Sequence, residues 1–99
     1  MSNLEPEAEA EAETPDGQGT AERAQAVLEY VVRHIVDDPG SIRIDAEERR
    51  RGIDLHLNVA PDDMGKVIGR GGRVIQSMRT VVRVAGARDG VEVHVAIDD

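Results

Sequence analysis

The sequence contains no cysteine, no tryptophan, no phenylalanine and a single tyrosine, Tyr30. Without cysteine there are neither disulfides nor thiolate metal ligands. The near absence of rings excludes base recognition by aromatic stacking, a common device of single-strand binders. Any nucleic-acid site here must therefore use aliphatic surface, hydrogen bonds and arginine. The three histidines, His34, His56 and His94, stand far apart with no metal-ligand spacing. No apolar run approaches a membrane span, and the N-terminus lacks the basic-then-apolar profile of a signal peptide, so a cytoplasmic address is expected and membrane association is not. No nucleophile–base pair, carboxylate dyad or metal cluster stands out. Asp62-Asp63 reads as helix capping rather than acid–base chemistry. Neither enzyme activity, nor a cofactor, nor a small-molecule substrate is expected.

The 99 residues suffice for one modest core. A net charge of −8 argues at first against a polyanionic partner, but the charge is unevenly placed. Residues 1–20 hold Glu5, Glu7, Glu9, Glu11, Glu13 and Asp16 and no base. This Glu-Ala alternation has too little apolar surface to offset the entropy of ordering, and a disordered acidic tail over 1–20 is expected, followed by one domain over 21–99. The tail either keeps the protein soluble or competes with an anionic ligand for basic surface. Between Met64 and Arg88 there are six bases (Lys66, Arg70, Arg73, Arg79, Arg83 and Arg88) and no acid. That segment is either an electrostatic footprint for phosphate or a solvated helix face.

Hydrophobic spacing predicts the elements. Val27, Leu28, Val31, Val32, Ile35 and Val36 recur as one helical face over 21–37, with Thr20 as N-cap and Pro39-Gly40 after its end. Ile42 to Asp45 alternates as a short strand, and Glu47 to Gly52 reads as a charged turn. Ile53 to Val59 alternates strictly and predicts a strand. Pro61-Asp62-Asp63 starts a short helix that Gly69 to Gly72 interrupts. A further helix is predicted over 73–85, with Val74, Ile75, Met78, Val81, Val82 and Ala85 as its apolar stripe. Gly86 to Gly90 then reads as a loop and Val91 to Ile97 as a strand. The order α-β-β-α-α-β, with one buried sheet face, predicts an α+β two-layer domain: a three-stranded sheet covered on one face by helices.

Gly69-Arg70-Gly71-Gly72 sits between two helices, directly before the N-terminus of the second. Three glycines in four positions open backbone angles closed to other residues and remove side chains that would hold a ligand away. The first amides of the next helix are unpaired, and its dipole adds positive potential. Lys66, Arg70 and Arg73 flank the turn. A plain helix–helix turn would need only one glycine as C-cap. A dinucleotide fingerprint is unsupported, because no strand precedes Gly69-Arg70-Gly71. A P-loop is excluded, because Gly65-Lys66 is followed by Val67 rather than Ser or Thr.

The run Val67-Ile68-Gly69-Arg70-Gly71-Gly72-Arg73-Val74-Ile75 matches the KH signature Val-Ile-Gly-x-x-Gly-x-x-Ile at every defined position. With Ala60 to Lys66 before it and Arg79-Thr80-Val81-Val82 after it, the chain resembles small bacterial KH-domain RNA-binding proteins of the KhpA type over about residues 25–97. The resemblance implies a type II KH fold, whose α-β-β-α-α-β order agrees with the elements above. It implies a GxxG loop that clamps about four nucleotides of single-stranded RNA. Carried onto this sequence, Gly69, Arg70, Gly71 and Gly72 would contact the backbone, with Lys66 and Arg73 beside them. Ile68 and Val74 would wall a groove for bases, and Val67 fits either that groove or the core. The implied role is that of an RNA chaperone or post-transcriptional regulator. Implied protein partners are a second copy of the chain or a larger KH-containing protein of the Jag/KhpB type.

Overall fold

The computed structural model describes residues 20–98; the predicted acidic tail, apart from Thr20, lies outside them. Helix α1 spans Glu22–Arg33 and turns Ala24, Leu28 and Val32 inward. Strands β1 (Arg43–Arg49) and β2 (Gly52–Asn58) form an antiparallel hairpin, in register from Arg43↔Asn58 to Arg49↔Gly52. Strand β3 (Val93–Ile97) pairs parallel with β2, from Ile53↔Val93 to Leu57↔Ile97. The sheet order is β1-β2-β3, so β2 is central.

Two parallel neighbours cannot be joined by a tight turn and require a crossover. Helix α2 (Met64–Ile68), the Gly69–Gly72 turn and helix α3 (Arg73–Arg88) supply it. The glycine turn is thereby carried at a junction of two helices that rest on the sheet. Leu55, Leu57, Val93 and Val95 from the inner sheet face meet Leu28, Val32, Val67, Ile75, Met78 and Val82 from the helices. Each of the larger side chains contributes roughly 1.5–3 kcal/mol by leaving water. The outer face carries Asp54, His56, Asn58 and His94, with Asp45 and Glu47 opposite them on β1. The fold is the expected α+β two-layer domain in α-β-β-α-α-β order.

Several boundaries differ from expectation. Helix α1 stops at Arg33 rather than 37, because the chain tightens into a turn in which His34 donates to Val31 O and Ile35 to Val32 O. Ile35 and Val36 continue the apolar pattern through that turn, and Val36 is buried without being helical. The N-cap position is Ala21, although Thr20 Oγ1 accepts from the Glu22 amide at 3.4 Å. Strand β1 runs on to Arg49, leaving only Arg50 and Arg51 as the turn. Helix α3 continues through Gly86 to Arg88, because Gly86 packs beneath β3: a Cβ there would lie 2.5 Å from Val93 Cγ2.

Candidate nucleic-acid interface

The turn that links α2 to α3 is built on left-handed backbone. Gly69, Gly71 and Gly72 take φ of 79°, 64° and 78°, values an L side chain rarely adopts. Two of these glycines do different things. At Gly69 a Cβ would fall 2.4 Å from Val74 Cγ2 and 2.8 Å from Val74 N, so the absent side chain lets α3 start hard against the end of α2. At Gly71 a Cβ would meet nothing within 4 Å; its bareness leaves the main chain open to solvent.

The hydrogen bonds of the turn show what is left over. Gly69 N donates to Gly65 O, and Gly72 N donates to Gly69 O. Arg73 N donates to Arg70 O. The amides of Arg70 and Gly71 donate to no backbone carbonyl among the described residues. They sit on an exposed turn at the positive end of the 16-residue helix α3, with the exposed side chains of Arg70 and Arg73 to either side. Unpaired N–H groups, a helix dipole and two guanidinium groups together favour a phosphate oxygen.

The other predicted site residues separate into two groups. Ile68 is 38% exposed and Val74 partly buried, so both present aliphatic surface next to the turn. Val67 is fully buried and belongs to the core. Lys66 points back along α2, as helical side chains do. Its Nζ donates to Asp37 Oδ2 at 2.8 Å and to Asp63 Oδ1 at 3.5 Å. The pairing with Asp37, more than that with Asp63, holds the Lys66 pKa above its ordinary value.

Asp63 is the one buried charged side chain among the described residues, and the sequence pattern did not reveal its role. It makes no cap on its own helix. Its Oδ1 and Oδ2 accept the backbone amides of Asp37 and Asp38 at 3.1 and 3.0 Å, and Lys66 completes the set. The amide of Asp37 does most to hold the Asp63 carboxyl below the usual range, against the opposing effect of burial. This clamp ties the connection after α1 to the start of α2, whose other end is Gly69. Arg79 is likewise engaged: its Nε donates to Val95 O at 3.2 Å.

The outer sheet face has a different character. His56 lies between Glu47 (Nε2 to Oε1, 2.8 Å) and Asp98 (Nδ1 to Oδ1, 3.4 Å). The ligand atoms of Glu47, Asp54 and His56 come within 4.8 Å of one another, but Arg49 pairs with both carboxylates and satisfies them without an ion. Among the described residues no helix is long and apolar enough to cross a membrane.

A GxxG turn between two helices, set on a three-stranded mixed sheet in this order, defines a type II KH domain. The chain belongs to the KhpA/KhpB KH-domain family, whose sequence profile matches residues 25–97. It is 47% identical over 72 residues to the RNA-binding protein KhpA of Mycobacterium tuberculosis, covering 73% of this chain and 89% of that protein. The KhpA proteins of Streptomyces coelicolor (46% over 69 residues, 70% and 86% covered) and Clostridium acetobutylicum (38% over 71 residues, 72% and 95% covered) are similar in the same region.

Proposed function

We propose that this protein binds single-stranded RNA, holding the phosphodiester backbone on the Arg70 and Gly71 amides at the start of α3. The observation that carries this reading is a pair of main-chain donors, on an exposed glycine-built turn, that meet no backbone carbonyl among the described residues. Gly69 and Gly72 shape the turn, and Arg70 and Arg73 supply charge. Ile68 and Val74 offer an aliphatic wall to the bases. Lys66, tied to Asp37 and Asp63, adds positive potential at the margin, while Val67 supports the wall from within the core. With no aromatic ring in the turn to stack on and few phosphate contacts, affinity is modest and sequence preference low, which suits an RNA chaperone or post-transcriptional regulator in the cytoplasm. The relatives named as RNA-binding KhpA proteins support the same reading. Fluorescence anisotropy with short RNAs tests it: replacing Arg70 and Gly71 with Asp abolishes binding while the circular dichroism spectrum is retained. Binding that survives the double change overturns the loop as the site.

A second reading, docking to a second copy or to a KhpB-type protein, is favoured by one observation. Val81 and Val84 on α3 and Tyr30 on α1 are 48%, 57% and 66% exposed, beside an apolar groove lined by Val27, Val31 and Met78. A partner that stays bound through nuclease treatment supports this reading.

A further inference from the structure

Beyond the glycine turn, the exposed face of α3 is divided lengthwise. At 100° per residue, Arg73, Gln76, Thr80 and Arg83 fall within roughly 80° of one another, and all four are exposed. Val81 and Val84 occupy the other flank, toward α1. The remaining arginine of the mid-helix, Arg79, faces β3 and is held by Val95 O. Neither Arg73 nor Arg83 enters an ion pair among the described residues, whereas Arg23, Arg33, Arg49 and Lys66 all do. No acid occurs between Met64 and Arg88, so neither α2 nor α3 supplies a carboxylate to neutralise the stripe.

The helical rise puts Arg83 roughly 15 Å from Arg73. That exceeds the screening length of about 8 Å at physiological ionic strength, so Arg83 exerts little through-space pull on a phosphate bound at the turn. Its charge reaches RNA only if the strand itself reaches Arg83. The same 15 Å corresponds to roughly four nucleotides at the ~3.4 Å spacing of a stacked strand.

We propose that the Arg73–Gln76–Thr80–Arg83 stripe is a rail that carries single-stranded RNA past the glycine turn, extending the footprint beyond the about four nucleotides that a GxxG loop clamps. The inference rests on the proposed function and adds its reach. Arg83 holds a phosphate, and Gln76 and Thr80 offer amide and hydroxyl groups to phosphate or ribose between the two arginines. Thr80 Oγ1 donates to Gln76 O at 3.1 Å and keeps its lone pairs for an incoming 2′-hydroxyl.

The test uses the full chain, fluorescein-labelled oligouridylates of four and ten nucleotides, and 0.15 M salt. The Arg83→Glu variant is expected to bind the ten-mer roughly tenfold more weakly than the parent, the scale of one charge-assisted contact, and the four-mer equally well. Comparing the two proteins on each RNA cancels the extra registers that a longer strand offers. Arg83→Lys is expected to keep most ten-mer affinity, which separates lost charge from a disturbed helix. Equal ten-mer affinity of Arg83→Glu and parent, or the same loss on both lengths, overturns the rail. Four-mer binding that persists in the Arg70→Asp/Gly71→Asp chain instead overturns the turn as the anchoring site, a separate failure.

Discussion

Gly69 approaches Val74 so closely that the space for a Cβ is already filled by the valine side chain and amide. The junction of α2 and α3, and with it the exposed turn, exists because residue 69 has no side chain. Gly69→Ala is accordingly expected to cost about 2–4 kcal/mol, combining a left-handed backbone with an overpacked contact. Gly71→Ala meets open space and costs only about 1–2 kcal/mol of backbone strain. Urea denaturation of the two variants measures the difference.

Lys66 and Arg70 are four residues apart and carry the same charge, yet they differ in what they hold. Lys66 is engaged by Asp37 and Asp63; Arg70 enters no ion pair among the described residues. Arg70→Ala is expected to lower the salt slope of RNA binding by about 0.7, the amount of one single-strand phosphate contact. Lys66→Ala is expected to change it by clearly less. Anisotropy titrations across a range of salt concentrations compare them.

Acid weakens the clamp beneath the site. Because the folded-state pKa of Asp63 is depressed below 3.8, its contribution is complete above that value and is lost as pH falls through the lower folded value. The parent chain is therefore expected to lose stability below about pH 4. Asp63→Asn starts less stable, since its amide NH₂ faces a backbone donor, and loses less on acidification. Urea midpoints between pH 2 and pH 7 give both slopes.

His56 acts in the opposite sense. Its hydrogen bond to Glu47, with Asp98 on the other ring nitrogen, raises its pKa above 6.5 against some desolvation. Facing it on the outer sheet are also Asp54, Arg49 and Asp45, the last its direct cross-strand partner. The stability it contributes is complete below pH 6.5 and disappears as pH rises through the folded-state value. His56→Gln is expected to remove that component from a pH series of melting temperatures.

The acidic segment is expected to be dispensable for the described fold. Ala21 is 6% exposed and part of the core, so a chain starting at Thr20 keeps every buried residue of the described fold. It also drops six negative charges, taking the net charge from −8 to −2. Its melting temperature is expected to match that of the full chain, as measured by circular dichroism.

How far the sequence reveals this molecule depends on whether a residue's partners are local. The period-2 pattern of Ile53 to Val59 and the glycine turn carry their own signals; the turn lies where expected, and the strand runs Gly52–Asn58, displaced by one residue at each end. Strand β1 extends further than its apolar residues imply because Asp45 to Arg49 are all exposed and are held by the backbone ladder to β2, which leaves no trace in hydrophobicity. Gly86 reads locally as a helix end, but its role is set by Val93 on another element. Asp63 looks like a cap for its own helix, whereas its donors lie 25 and 26 residues earlier in the chain. The same distance hides why Lys66 turns away from the loop.

Whether RNA sits on the main-chain donors of the glycine turn is read residue by residue by titrating ¹⁵N-labelled protein with a short oligouridylate and following ¹H–¹⁵N correlation spectra. The Arg70 and Gly71 amides are expected to shift furthest and downfield, as donors gaining a phosphate acceptor, while Asp54, His56 and Asn58 on the outer sheet stay in place. Saturable binding with the largest shifts on the outer sheet, and still amides at Arg70 and Gly71, would contradict it.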